Sequence, residues 1–329
     1  GSDVVSALTV LAVPVLHATV GIAFWQLLVL VALNGAARAP APAASLVLLI
    51  ALSDAAGSSG DRERALYTAG IRLAAVLGAP VGGALIAWRG ASAALVADAA
   101  TFAVSALVLV AAVRLPRATT SRAAGAVRPW AGLSVLAGDR LLRAMSALVV
   151  VLALLSGAWS GVLAPAYGLR VLHSPAALGL LLGVFGAGAL LGSLAGPWLA
   201  ARSDHHRLVW TCLALGTVPG YGVPALTTAV PVLAAAMVLS GVGTGVLGPL
   251  WLGLLSTRTQ AHQHGHVFGV TSALEQAGVA VGALTGGLLL DSLGMTATLA
   301  GAAAVGAGLA ASAALTPALG DLHAAGRHA

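Results

Sequence analysis

The sequence predicts an all-α membrane protein, a bundle of ten transmembrane helices in two repeat-related halves. Three observations predict it. Of 329 residues, 59% are hydrophobic and only 8% are charged, too little charge to cover a soluble chain of this length. Apolar runs of about 18 residues or more recur from end to end, each long enough to cross a bilayer. Glycine-bearing segments also recur at one near-constant spacing, the mark of an internal duplication.

The ten spans are expected at roughly 4–22, 25–52, 65–88, 91–113, 142–165, 176–200, 208–229, 231–256, 267–290 and 295–316. The breaks between them carry turn chemistry, as in "WRGAS", "LHSP", "ARSDHHR" and "DSLGM". Two breaks, near Ile22 and near Val230, are the least marked.

All sixteen basic residues are Arg. When the spans are threaded alternately with residue 1 inside, Arg62, Arg64, Arg114, Arg117, Arg122, Arg128, Arg140, Arg143, Arg202, Arg207, Arg258 and Arg327 fall inside. Only Arg89 and Arg170 fall outside, and Arg38 and Arg72 lie within spans. The bias predicts both ends of the chain in the cytoplasm. The net charge of +6 therefore reflects topology, and no nucleic-acid partner is expected. The longest and most basic connection, 114–141, reads as a cytoplasmic linker. It separates an N-terminal half, 1–113, from a C-terminal half, 142–316, with a tail at 317–329. Cys212 is the only cysteine, so no intrachain disulfide can form.

The duplication is read from three alignments. "LGAPVGGALIAWRG" (77–90) lies over "VGALTGGLLLDSLG" (281–294), matching Gly78, Gly82, Gly83 and Gly90 with Gly282, Gly286, Gly287 and Gly294 at offset 204. "LNGAARAPAPAASLVLL" (33–49) lies over "LSGVGTGVLGPLWLGLL" (239–255) at offset 206, and Pro14 lies over Pro219 at offset 205. A period near 205 holds six helices, so the halves are parallel repeats. The first half supplies four helices and the second six. The expectation is helices 3 to 12 of a twelve-helix protein, with two helices absent from the N-terminal side.

On these residues the chain resembles the major facilitator superfamily over essentially its whole length, closest to the bacterial drug- and siderophore-exporter branch. Gly78, Pro80, Gly82 and Gly83 resemble the antiporter motif on the family's fifth helix, with Ala79 interposed between the first glycine and the proline. "ADAATFAVSALVLV" and "RALYTAG" are similar to that branch too. The resemblance implies a multi-pass protein of the bacterial plasma (inner) membrane, a monomer without cofactors. Its partners would be the lipid bilayer, a small-molecule substrate and protons. It implies that Arg38, on the fourth helix, is tied to proton movement. It also implies that Arg38, Ser240, Thr244 and Trp251 line a central cavity.

Several residues admit two readings. Gly70, Ala74, Gly78 and Gly82 form a smooth stripe, and Pro80 removes a backbone hydrogen bond beside it. The segment is either a surface on which one half rocks or a site of tight packing. Gly278, Gly282 and Gly286 repeat the stripe without the proline, and Gly188, Gly192 and Gly196 form a third, read as packing. Arg38 lies mid-span and needs a partner; it serves proton movement or binds backbone freed near Pro40 and Pro42. Arg72 and Glu275 lie at similar depth in repeat-related spans, as functional charges or as a structural or snorkelling pair. Asp98 reads as a helix-packing hydrogen bonder near Thr101 and Ser105. His262, His264 and His266 alternate in a polar loop without Cys or carboxylate and read as solvated, so no metal site is expected.

The function these features imply is secondary active transport, proton-coupled efflux of a small amphipathic molecule by alternating access. No nucleotide-binding motif is present. The alternative is a truncated, non-transporting remnant. In it, the small-residue face of 267–290 would meet lipid, and Arg38 would lose its partner. An intramembrane enzyme is the distant third reading. It would need a nucleophile–base pair or metal cluster at one depth, and none converges, so no enzyme is expected.

Overall fold

The computed structural model describes residues 2–38, 61–112, 129–259 and 264–315, and every element among them is helical. The helices are α1 (Ser2–Thr19), α2 (Phe24–Arg38), α3 (Asp61–Arg89), α4 (Ala91–Ala112), α5 (Pro129–Gly138) and α6 (Arg140–Ala158). A π-helical turn, Trp159–Leu163, joins α6 to α7 (Ala164–Arg170). Then follow α8 (Pro175–Arg202), α9 (His205–Leu226), α10 (Val230–Arg258), α11 (His264–Leu293) and α12 (Met295–Leu315).

Among the described residues, eight segments are long and apolar enough to cross a membrane: α1, most of α4, the continuous Arg140–Arg170 rod, α8, most of α9, Val230–Trp251, Gly269–Leu293 and α12. The other two expected spans fall short for different reasons. Described helix in the second ends at Arg38, and the rest of that span, with Pro40 and Pro42, lies outside the described residues. The third, α3, is 29 residues long but opens on Asp61, Arg62, Glu63 and Arg64, so its uninterrupted apolar part is only Val76–Arg89. Helix α5 lies inside the stretch read as linker. Pro129 begins it and Gly138 ends it, the usual placement of these residues at helix ends. Asp139 then caps α6, accepting from the Leu141 and Leu142 amides at 2.8 and 3.2 Å.

Glycine makes three of the sharp connections. Gly21, Gly90 and Gly294 have φ of +77°, +83° and +80°, where a Cβ would be strained. They separate α1 from α2, α3 from α4, and α11 from α12. The weakly marked break near Ile22 is thus a glycine turn. The one near Val230 is Thr227–Ala229, where the Thr227 amide closes α9 on the Val223 carbonyl at 3.0 Å.

The chain divides into two compact units, residues 1–75 with 81–123, and residues 76–80 with 124–329. In the first, α1 packs against α2 and α4. Ser2 Oγ donates to the Ala37 carbonyl at 2.6 Å, and Ser105 Oγ donates to Asp3 Oδ2 at 2.8 Å. The Asp98 expectation is corrected here. Its side chain is exposed, Thr101 donates to the Asp98 backbone carbonyl at 2.7 Å, and Ser105 is taken by Asp3. Asp3 wins because α1 lies directly against α4, whereas Asp98 and Ser105 are two turns apart on one helix.

The second unit is built on small-residue seams. Helix α8 meets α10 backbone to backbone: a Cβ on Gly188 or Gly192 would strike the Val238 or Val242 carbonyl, and one on Gly241 or Gly245 would strike Phe185 or Ala189. Helix α11 meets α6 the same way. A Cβ on Gly278 would lie 2.9 Å from Ala153 Cβ, one on Gly286 2.8 Å from Ala158 Cβ, and one on Gly282 would collide with the Leu154 carbonyl. In lipid, helices gain by packing rather than by hiding from water, so glycine seams bring backbones close enough to attract. The large side chains turn the other way: Leu284 and Leu288 are each 70% exposed.

This corrects one expectation. The Gly278–Gly282–Gly286 face does not lack protein; α6 covers it, because Ala153 and Ala158 present small side chains in matching register. The corresponding stripe in α3 differs. A Cβ built on Gly70, Gly78 or Gly82 meets no described atom within 4 Å.

Candidate functional site

The second unit holds a cavity of about 630 Å³, within the range of pockets that take drug-sized molecules. Its walls come from five of the unit's helices. The α6 segment and its π turn contribute Ser156, Trp159 and Ser160; α8 contributes Leu182 and Phe185; α9 contributes Thr217 and Tyr221. From α10 come Ser240, Thr244 and Trp251, and from α11 Glu275 and Gln276.

Local sequence explains how these side chains arrive. Pro165 carries no N–H and its ring opposes the carbonyl four residues back, which disrupts regular α-helix there. The chain answers with a π turn, the Ala164 amide reaching five residues back to the Trp159 carbonyl. Such turns insert an extra residue and re-aim side chains, frequently at functional sites. Here Trp159 and Ser160 both face the cavity. Trp159 meets Tyr221 edge to face, with ring centroids 5.8 Å apart at 88°, a favoured aromatic geometry. Gly216 and Gly220 let α10 approach α9, and Ser240 Oγ, buried, donates to the Gly216 carbonyl across that seam.

The polar groups share a pattern. Ser160 donates to the Ser156 carbonyl at 2.7 Å, Thr217 to the Leu213 carbonyl at 2.7 Å, and Thr244 to the Ser240 and Gly241 carbonyls at 3.0 Å each. With Ser240, four hydroxyls spend their protons on backbone. Glu275 is the only charged residue in the lining among the described residues. It is half-buried, six residues into the Gly269–Leu293 span, about 9 Å along the helix axis.

The expected site residues thus separate. Ser240, Thr244, Trp251 and Glu275 converge on one cavity. Arg38 belongs to the first unit, exposed, with its guanidinium carbon 4.9 Å from the Phe102 ring centroid; this cation–π contact is a partner that the sequence reading did not name. Arg72 lies on α3, and its side chain is outside what is described. Pro80 sits within α3, whose helix continues through it to Arg89. Gly83 is buried in that helix. His262 lies outside the described residues, and His264 and His266 open α11. No metal-binding group of His, Cys, Asp or Glu is found among the described residues. Sequence reasoning missed Trp159, Tyr221 and Gln276. The one available signal was Pro165 after "AWSGVLA", a mid-span helix disruptor beside an aromatic.

Known proteins give the family. Residues 147–321, the part that carries the cavity, match the model of the Major Facilitator Superfamily. The chain is 30% identical over 306 residues to the multidrug efflux pump Tap of Mycobacterium tuberculosis, covering 90% of this chain and 72% of that protein. It is 28% identical over 308 residues to Tap of Mycolicibacterium fortuitum, covering 90% and 74%. It is 26% identical over 256 residues to the uncharacterized MFS-type transporter y4rN of Sinorhizobium fredii, covering 76% and 62%. With a family match over more than half its length, and glycine-seamed membrane helices around one cavity, the chain belongs to the Major Facilitator Superfamily of transporters.

Proposed function

We propose that the protein is a proton-coupled efflux transporter that moves a small amphipathic molecule across the bacterial inner membrane by alternating access. The observation that carries this reading is the cavity. It is apolar and drug-sized, yet it contains one intramembrane carboxylate and a line of hydroxyls. Ionisable groups at such depth are costly and are retained for ion or substrate movement. The relatives named multidrug efflux pumps support the outward direction. Both ends of the chain are cytoplasmic in this reading, which rests on the arginine distribution, and the protein acts as a monomer. Gly78, Pro80, Gly82 and Gly83 form the surface on which one half rocks against the other. The open stripe on α3 supports motion there better than it supports tight packing.

Arg38 serves proton coupling in this account. In proteoliposomes with an imposed pH gradient, Arg38→Ala should lose gradient-driven efflux. Arg38→Lys should keep part of it, since the charge survives without the planar fork. Wild-type, gradient-dependent efflux from Arg38→Ala would reduce Arg38 to its contact with Phe102.

A further inference from the structure

We infer that a phospholipid with an anionic headgroup binds in a groove between α6 and α12, with one acyl chain in the groove and its phosphate at Arg140. The inference does not depend on the transporter reading, because the groove lies away from the central cavity.

The groove is a separate cavity of about 210 Å³ in the second unit. Ala144, Ala147 and Val151 line it from α6, and Leu309, Ser312 and Ala313 from α12. At about 3.6 residues per turn, its α6 wall is the face turned away from Leu152 and Ser156, which line the central cavity. The alanines on both walls keep the two helix surfaces low, so a gap remains between them. The α12 wall is held in place from α9, where His206 Nε2 lies 2.8 Å from the Ala313 carbonyl oxygen.

Chemistry and size narrow the occupant. Ser312 is the only polar side chain in the lining among the described residues, and its hydroxyl donates to the Leu309 carbonyl at 2.8 Å. A buried water needs about three hydrogen-bond partners, which this lining does not offer. A drug-sized ligand needs a pocket of about 300 Å³ or more. From Ala144 to Val151 the wall rises about 10 Å along the helix axis, most of the roughly 15 Å depth of one leaflet's hydrocarbon. An acyl chain matches that length and polarity. Its methylenes supply the dispersion contacts that an empty groove would forfeit.

Charge at the mouth selects the headgroup. Arg140 opens the membrane-spanning Arg140–Arg170 rod and stands on the same α6 face as Ala144, one turn before it. It is exposed and makes no hydrogen bond to a described residue. Arg143 stands beside it and donates one N–H to the Ala137 carbonyl at 2.8 Å, one of a guanidinium's five donors. The neighbouring acid, Asp139, accepts from the Leu141 and Leu142 amides as the α6 cap. In the orientation proposed above, this end of α6 is cytoplasmic. Basic sites between helices on that side attract anionic headgroups, and a guanidinium matches a phosphate with two parallel bonds. A choline headgroup would bring a cation to the same two arginines.

Native mass spectrometry of the full chain tests this, in detergent with equal amounts of dioleoyl-phosphatidylglycerol and dioleoyl-phosphatidylcholine. The first lipid adduct should favour phosphatidylglycerol about fivefold, a difference of about 1 kcal/mol. Arg140→Gln should remove that preference and keep the wild-type melting transition. Ala147→Phe and Ser312→Phe fill the groove from opposite walls, and each should lower the first adduct of both lipids several-fold. Leu284→Phe, on the exposed face of α11, should change neither adduct. Excess glycerol 1-phosphate should displace no lipid, because the chain holds it. Equal adducts of the two lipids, or a preference that survives in Arg140→Gln, would overturn the headgroup assignment. Undiminished adducts in a groove-filling variant that keeps its melting transition would overturn the groove. Displacement by glycerol 1-phosphate would make this a site for free phosphate esters instead. A dimer that Ala147→Phe dissociates would make the face an interface between copies of the chain. The Arg140→Gln result decides the headgroup even if a filled groove fails to fold.

Discussion

Replacing Glu275 by Gln should lower proton-driven efflux by about two orders of magnitude, the scale lost when a positioned proton-transfer group is removed. The substitution keeps the shape of the side chain and removes only its ability to ionise. Glu275 has no partner among the described residues, so folding should be little affected. This separates the variant from most intramembrane substitutions, which break packing first. Glu275→Asp should retain a measurable fraction, because the carboxylate survives one methylene further from the cavity. The measurement is initial efflux rate from proteoliposomes as a function of the imposed pH gradient. An undiminished response in Glu275→Gln would place the coupling elsewhere and leave Glu275 as a polar wall residue.

The second large effect falls on stability. Gly282→Ala should destabilise the protein by about 1–3 kcal/mol, the usual cost of forcing one methyl into a filled site, and Gly282→Leu by more. The reason is geometric. The new Cβ would lie 2.0 Å from the Leu154 carbonyl oxygen, and backbone cannot rotate away as a side chain can. Helices α6 and α11 would have to separate along the whole Gly278–Gly286 seam. Gly301→Ala on α12 is the control, since a Cβ there meets nothing within 4 Å among the described residues. It should be neutral or slightly stabilising through helix propensity. Thermal unfolding in detergent should separate the two variants; coincident midpoints would mean that the seam is not tight.

How much of this was legible beforehand depended on how local the cause was. The turns at Gly90 and Gly294 could be read directly, because a left-handed backbone almost demands glycine. Ser240, Thr244 and Trp251 were assigned to a cavity through the family resemblance, whereas Glu275 stood out only as a charge inside a span, where a charge must face protein or water. What could not be read were relations between helices. Gly78–Gly82 and Gly282–Gly286 have the same spacing, yet only the second pair has a helix against it among the described residues. Nothing in either heptad says so. The pairing of Trp159 with Tyr221 joins residues far apart in sequence and depends on a π turn, which shifts register by one residue. The bond from Ser105 to Asp3 likewise depends on α1 lying beside α4. Helix α5 is a short helix within the stretch read as linker, and it was not read as a helix. Pro129, the apolar "WAGLSVLA" and Gly138 marked it, but the arginines around it drew the whole stretch into a linker.

The central claim is that the transported molecule occupies the cavity bounded by α6, α8, α9, α10 and α11. Alkylation of a cysteine placed at Thr244 tests it most directly. The chain's single native cysteine, Cys212, is only 5% exposed, so the parent protein should label slowly and give a low background. The account predicts that Thr244→Cys reacts with a small maleimide at a rate that saturating ethidium slows several-fold. A cysteine at Gly301, outside the cavity, should be unaffected by ethidium. Unchanged labelling of Thr244→Cys, in vesicles that actively transport ethidium, would contradict the claim.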